Sequence, residues 1–417
     1  MVMVWVLQNT LKAQTELNLD NMDRIILHSD INSFFVAVEH LMRPEYKDKP
    51  MAVGGDPEKR HGIILTADYM SRKYGVRTGM PLWQAKKLCP ELIIVTPRMD
   101  LYKEYSVMAH DIYADYTDLI EPYGIDESWL DISALASNEE QGIMLAKEIN
   151  ARMKKEIGIT NSIGMSWNKV FAKLGSDYKK PDAVTVFMRG QMDLIRSLPA
   201  SDLLYVGKNT SGRLNSMGIF TIGHLADAPE DMLIKNLGKT GPMFKRFAMG
   251  LDDEPVNPDN YSRELKSIGN STTTPVDLQN NEEVKKLFYE LAEQVARRMK
   301  KHGVKGGVLE ILIRTSDMES TNRQCHLEQK TDIADEIAKG SYRLFLENFK
   351  WKKRIRSLGI RMTDLVDVNE PEQLSLFSDE ENRSKHQNMD KTIDSLRDRF
   401  GADIIKRGIM FINNDDL

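Results

Sequence analysis

Over the first half of the chain, short apolar runs that stop on polar clusters alternate with stretches of helical spacing. Residues 24–30 (RIILHSD) form the first such run, the pattern of a buried strand, and it ends on a carboxylate, Asp30. SFFVAVEHLM follows with helical spacing, and apolar pieces come next at residues 51–53 and 62–65. Residues 99–119 are again helical in spacing. Two short strands are predicted around residues 123–132, separated by Ile125, Asp126, Glu127 and Ser128, then a helix over 139–157 and a strand over 160–165. With residues 34–98 set aside as an insert, the order is strand, helix, strand, strand, helix, strand, the split pattern of ferredoxin-like sheets. In such a sheet the first strand and the central hairpin can be neighbours, which brings Asp30 towards Asp126 and Glu127.

The texture changes after Pro181. Residues 203–225 and 234–247 read as two short helix-turn-helix units, one turning at Gly207-Lys208 and the other at Gly238-Lys239-Thr240-Gly241. Residues 252–264, rich in Asp, Asn and Pro, read as a linker. A second α/β unit is predicted over 264–365, with a long helix at 282–302 and an alternating strand, VLEILIR, at 308–314. Residues 364–382 are acidic and predicted mobile, and a last helix is predicted over 389–407. Residues 1–21, ahead of a second methionine at Met22, read as an extension outside the folded unit.

With 417 residues and 41% hydrophobic content the chain is neither a stapled mini-protein nor a disordered one, and two to four domains are expected. The net charge of -5 argues, as an average, against a nucleic-acid partner. Its distribution argues otherwise: residues 297–361 carry 16 Lys or Arg against 8 Asp or Glu, whereas residues 364–381 hold seven acids and no Lys or Arg. Cys89 and Cys325 are far apart and lack a CxxC or CxxH neighbour, so no disulfide framework or zinc site is indicated and a reducing compartment is expected. No apolar run approaches the roughly 18 to 20 residues of a membrane span, and MVMVWVL lacks the flank and cleavage pattern of a signal peptide. A soluble, cytoplasmic protein is the expectation.

Three carboxylates at one sheet edge repel one another and call for a cation or a proton. Mg²⁺ suits them, since it takes oxygen ligands and is typically held by one or two carboxylates plus substrate phosphates. Two such ions about 3.5 to 4 Å apart serve in-line phosphoryl transfer.

HSDINSFFVAVE (28–39), TADYMSRKYGVRTGMP (66–81), YGIDESWLDIS (123–133) and SIGMSWNKVFAKLGSDYKKPD (162–182) resemble the palm and fingers motifs of Y-family translesion DNA polymerases of the bacterial DNA polymerase IV type. The resemblance covers about residues 22–365. It implies an α+β multidomain, right-hand polymerase: ferredoxin-like palm (22–33 and 99–187), small inserted fingers (34–98), helix-hairpin-helix thumb (188–251), linker (252–264), α/β little finger domain (265–365) and an acidic tail with a terminal helix (366–417). It further implies template-directed, low-fidelity translesion synthesis without proofreading by a monomer, from dNTP and primer-template DNA.

Carried over position by position, Asp30 and Asp126 would bridge two Mg²⁺ ions, with Glu127 completing the catalytic ion's site and the backbone carbonyl of Ile31 helping to hold the nucleotide-bound ion. Thr66, Tyr69, Arg72 and Lys180 match the positions that grip the triphosphate, where Arg offers a planar fork and Lys a point charge. Phe35 falls at the steric gate, where an aromatic ring fills the space a ribose 2′-hydroxyl would need, and its neighbour Phe34 reads as core. Gly207, Lys208, Gly238 and Lys239 would meet the duplex backbone in the thumb. Lys352, Lys353, Arg354 and Arg356, in the run KWKKRIR, would do so in the little finger. Gln373, Leu374, Leu376 and Phe377 resemble the bacterial sliding-clamp pentapeptide, short apolar anchors suited to a groove. The chain departs from the family pattern at Asn32, Trp129 and Trp167, and Tyr205 stands where the first thumb turn would have a glycine. A non-catalytic DNA- and clamp-binding accessory factor that keeps the fold, and another palm-type phosphotransferase such as a nucleotide cyclase, are the rival readings. The intact Asp30, Asp126, Glu127, Arg72 and Lys180 set opposes the first, and the thumb and basic second domain oppose the second.

Overall fold

The computed structural model describes residues 24–56, 62–259, 264–370, 380–401 and 404–410. They divide into two units, one holding residues 24–55 and 63–259, the other carrying residue 264 onward. The strands of the first unit are β1 (Ile26–Ile31), β2 (Met51–Gly54), β3 (Ile64–Ala67), β4 (Ile93–Val95), β5 (Ile120–Pro122), β6 (Glu127–Asp131), β7 (Asn161–Ser166) and β8 (Val184–Phe187). Five of them form one sheet in the order β5-β6-β1-β7-β8. Strand β1 runs antiparallel to both β6 and β7, and β8 is added parallel to β7 at the edge. This is the expected ferredoxin-like arrangement with one extra edge strand.

Every residue of β1 and β7 is buried, because helices cover both faces of the sheet centre. Helix Lys169–Tyr178 lies on β1, β7 and β8. It approaches closely because Gly164 has no side chain: a Cβ there would stand 1.9 Å from the Ala172 carbonyl oxygen and 2.3 Å from the Ser176 amide nitrogen. The next residue, Met165, points to the opposite face, against Gly142 of helix Glu139–Arg152. Within the insert, β3-β2-β4 make a small separate sheet over its own core of Ala52, Ile64, Ala67, Val76, Ala85, Cys89 and Leu92.

The central hairpin differs from the sequence expectation. Its turn is residues 123–126, closed by the Tyr123 and Gly124 amides donating to the Glu127 carbonyl at 2.9 and 3.3 Å. Glu127 is thus the first residue of β6 rather than part of the turn, because Ser128 and Glu127 can pair with Ser29 and Asp30 of β1. A second difference lies beyond the sheet. The first glycine-turn unit has only a 3₁₀ turn, Ala200–Asp202, ahead of helix Lys208–Ser216, whereas the second places Gly238 between two α-helices, Glu230–Leu237 and Thr240–Ala248. Each turn contains a residue of positive φ, Tyr205 at +66° and Gly238 at +65°.

Of the linker, residues 252–259 are described and are held to the first unit. Buried Glu121 accepts from Lys169 Nζ at 2.8 Å and from the backbone and side-chain nitrogens of Asn257 at 3.0 and 2.9 Å, while Val256 is buried beside Ile26 and Trp129.

The second unit is an antiparallel sheet of β9 (Ser267–Leu278), β10 (Val304–Thr315), β11 (Ser320–Thr331) and β12 (Ile355–Asp367) in the order β11-β10-β12-β9. Helices Asn281–Lys301 and Ala334–Asn348 pack together on it around Phe288, Leu291, Ile311, Phe345 and Ile360. Strand β12 continues through Asp364 to Asp367, so the acidic stretch begins inside a strand rather than in a mobile segment. The terminal helix spans Glu380–Phe400, earlier than its spacing predicts, since its polar composition gives little apolar periodicity to read. The N-terminal extension and the Gln373, Leu374, Leu376 and Phe377 peptide lie outside the described residues.

Candidate active site

Pairing register builds the site. Asp30, next to last in β1, lies directly opposite Glu127, and the Ile31 amide donates to the Asp126 carbonyl at 3.0 Å, so the three acids share one sheet edge. Ser106 Oγ donates to the Ile125 carbonyl at 2.5 Å and ties the turn to helix Met99–Ala114. Below the edge, Ser29 Oγ is joined to Tyr113 and Asn161 at 2.9 and 2.7 Å.

Two lysines serve the carboxylates. Lys180 Nζ lies 2.6 Å from Asp30 and 2.6 Å from Asp177. Lys173 Nζ lies 2.7 Å from Glu127, 3.5 Å from Asp177 and 3.9 Å from Asp30. Burial pushes the Asp30 carboxyl up to about 7 even against the nearby Lys180 charge, with the Glu127 carboxylate pushing the same way. Burial and the Glu127 charge also raise Asp126. Glu127 is itself partly buried, but the His28 and Lys173 contacts outweigh that and hold it well below the usual range. Fully buried His28 is lowered to about 4 by desolvation and stands neutral near pH 7, its Nδ1 2.8 Å from Ser176 Oγ.

The donor set is entirely hard oxygen, and two of its carboxyls resist ionising without added positive charge, which fits Mg²⁺. Among the described residues, no group of three or more His, Cys, Asp or Glu is placed so that it could hold a metal ion; Lys180 and Lys173 lie against Asp30 and Glu127 instead.

Of the expected nucleotide residues, Phe35, Thr66, Tyr69 and Arg72 fall on three elements of the first unit, and Lys180 follows helix Lys169–Tyr178. Phe35 stacks on Tyr102 with ring centroids 4.4 Å apart, while Phe34 is buried core. Tyr69 Oη donates to Asn32 Oδ1 at 3.3 Å, and Asn32 is also held by Ser162 and Thr160 at 2.9 and 3.1 Å. The Arg72 guanidinium lies over the Tyr69 ring at 4.9 Å, with Nε donating to the Ala67 carbonyl at 3.0 Å, and Thr66 sits on β3 opposite Val53. The departures at Trp129 and Trp167 are packing residues: both are buried, and their indole N–H groups donate to the Lys169 and Gly250 carbonyls, each at 2.9 Å.

Sequence reasoning missed three residues here. Tyr102 belongs to no motif singled out in the sequence, yet it backs Phe35 and its hydroxyl donates to Glu39 at 2.7 Å. Glu39 is fully buried and accepts a bidentate pair from Arg98 at 2.9 and 2.7 Å. Arg98 and Tyr102 hold its carboxyl below the usual range although burial alone would raise it. Lys173 is the third, since a helical Lys four residues before an Asp normally reads as a surface pair.

Of the expected DNA contacts, Gly207, Lys208, Gly238 and Lys239 are exposed at the two turns. In the second unit Lys352, Lys353 and Arg354 are exposed and Arg356 is half-buried. Lys353 is engaged with Asp317 and, at 2.7 Å, with Glu319, which reduces the free charge of that run. On the sheet face away from the helices, buried Glu310 is clasped by Arg361 and Asn322, at 2.5 Å from Arg361 Nε and 2.6 Å from Asn322 Nδ2.

Against known proteins, residues 29–177 match the model of the impB/mucB/samB family and residues 265–376 that of its C-terminal domain. A solved Y-family DNA polymerase chimera shares the fold, with a TM-score of 0.74 at 24% identity over 82% of this chain and 99% of that one. The DNA polymerase IV of Acetivibrio thermocellus is 45% identical over 93% of this chain and 98% of its own length, and DNA polymerase IV 1 of Bacillus subtilis is 38% identical over 92% of each. The chain belongs to the impB/mucB/samB family, in its DNA polymerase IV branch.

Proposed function

We propose that this DNA-directed DNA polymerase performs low-fidelity translesion synthesis without proofreading, by two-metal-ion transfer of a nucleotide from dNTP to a primer 3′-hydroxyl. The observation that carries the reading is the register that sets Asp30 against Glu127 with Asp126 one residue before it. Asp30 and Asp126 would hold both Mg²⁺ ions, with Glu127 and the Ile31 carbonyl each completing one. Bound there, the ions would make the primer hydroxyl more acidic and offset charge on the reacting and leaving phosphates.

The chain's own groups do the rest. Arg72 forks the triphosphate, braced on Tyr69, and Lys180 adds a point charge from the turn after helix Lys169–Tyr178. Phe35 excludes the 2′-hydroxyl, held flat by Tyr102 and, through it, by Glu39 and Arg98. The insert's sheet has only three short strands, which supports an open site tolerant of damaged template bases. The exposed turns at Gly207 and Gly238 grip the duplex without reading its sequence. The peptide from Gln373 to Phe377 docks a bacterial sliding clamp, and the enzyme works as a monomer in the cytoplasm. No helix among the described residues is long and apolar enough to cross a membrane.

Single-lesion templates, with each dNTP offered separately and with or without clamp, test the reading. Extension past at least one lesion that stops a high-fidelity polymerase is expected. Arrest at every lesion would contradict the translesion role. Leu376→Ala with Phe377→Ala should abolish clamp stimulation and spare basal synthesis.

A further inference from the structure

We propose that Lys173 is a resident counter-cation of the carboxylate edge: it positions Glu127 before any divalent ion arrives and weakens the site's grip on that ion until DNA and nucleotide supply further ligands. The proposal rests on the reading of Asp30, Asp126 and Glu127 as the ion-holding groups. Nothing in that reading requires Lys173, since Lys180 already supplies the phosphate-facing charge.

The geometry separates the two lysines. Lys180 lies beyond the end of helix Lys169–Tyr178 and shares its ammonium between Asp30 and Asp177. Lys173 sits inside the helix, is buried apart from 14% of its side chain, and is fixed by the same Asp177 one turn on. Its ammonium lies 2.7 Å from Glu127, 3.9 Å from Asp30 and 5.6 Å from the Tyr123 ring, so an oxygen ligand, a second acid and an aromatic face converge on it. The helix that carries it is pressed onto β7 at Gly164, where a Cβ would overlap the Ala172 carbonyl, which holds the backbone at Lys173 close to the sheet.

A fixed ammonium bound to Glu127 occupies one lone-pair direction of that carboxylate and repels a second cation a few ångströms away. The site is therefore held in shape without metal, and a divalent ion meets a positive charge that a bare cluster of three acids would lack. Phosphate oxygens and the primer terminus then tip the balance. Free enzyme would hold the ion weakly and the ternary complex would hold it well, which ties ion loading to the presence of both substrates.

Lys173→Met keeps the apolar stem and removes the charge, and Lys173→Arg keeps the charge. The readouts are Mn²⁺ binding to the protein alone, by electron paramagnetic resonance titration, and thermal melting with and without Mn²⁺. Lys173→Met is expected to bind Mn²⁺ roughly ten-fold more tightly than wild type, as suits one unit charge at short range. It should also melt lower without the ion and recover with it, while Lys173→Arg stays near wild type. Unchanged or weaker Mn²⁺ binding in Lys173→Met would overturn the proposal, as would equal tightening in Lys173→Arg. Glu127→Gln in both backgrounds separates the two layers. If it abolishes Mn²⁺ binding while Lys173→Met has no effect, only the role of Lys173 fails. If it leaves binding untouched, the carboxylate reading itself fails.

Discussion

At the scale of single residues the site stores unfavourable electrostatics that a cation would relieve. Burial, against the Lys180 charge, pushes the Asp30 carboxyl from its ordinary 3.8 up to about 7. A carboxyl raised in this way contributes stability that is fully present below 3.8 and lost as pH rises through about 7. Without divalent ions, the wild-type melting temperature should therefore fall between pH 5 and 8 relative to Asp30→Asn, and parallel curves would refute it. Glu127, held low against its burial by His28 and Lys173, acts only below 4.5. Lowered His28 and raised Asp126 also titrate in that window but are shared by both proteins, so the difference from Asp30→Asn isolates Asp30. Tyr205 carries a different kind of strain: it is 56% exposed and holds the left-handed φ of +66° that its counterpart Gly238 adopts freely. Tyr205→Gly should stabilise the protein by about 1 kcal/mol, measurable by denaturant unfolding.

At the scale of elements, close approach and capping decide what the sheets can present. Gly164 lets helix Lys169–Tyr178 reach the sheet, and that contact delivers Lys173 to Glu127. Gly164→Ala should cost about 3 kcal/mol or more through overpacking and reduce synthesis with it, read by chemical denaturation and primer extension on the folded fraction. In the second unit the terminal helix does structural work that its sequence hides. Its Asp390 is buried, accepts from the Ala334 amide at 2.9 Å where helix Ala334–Asn348 lacks a side-chain cap of its own, and lies 3.2 Å from both Lys300 and Arg407. Asp390→Ala should destabilise this unit by about 3 kcal/mol, as the loss of one partner in a buried ionic network does. Hydrogen exchange should then rise in residues 380–400 and at the start of helix Ala334–Asn348.

At the scale of the whole molecule, what could be read in the sequence were features carried by neighbours in the chain. An apolar run that stops on Asp30, a hairpin around Asp126-Glu127 and glycine turns are local signals, and they sufficed for the palm topology and the acidic edge. Lys173 was hidden because its partner is 46 residues away and is met only through sheet register and helix packing. Tyr102 and Glu39 were hidden because an aromatic and an acid on predicted helices have ordinary explanations until Arg98 is seen to bind the acid. The net charge of -5 misled as an average for the same reason, since opposite signs are segregated along the chain and partly cancel in pairs such as Lys353 with Glu319. Grip on DNA should accordingly be modest and salt-sensitive. The central claim, that the Asp30, Asp126 and Glu127 edge drives DNA synthesis, is tested most directly by single-nucleotide primer extension with Mg²⁺ using the doubly substituted Asp126→Ala, Glu127→Ala protein, with primer-template affinity measured in parallel. Loss of at least about a thousand-fold in rate with DNA binding retained is the predicted result, and extension at the wild-type rate would contradict it.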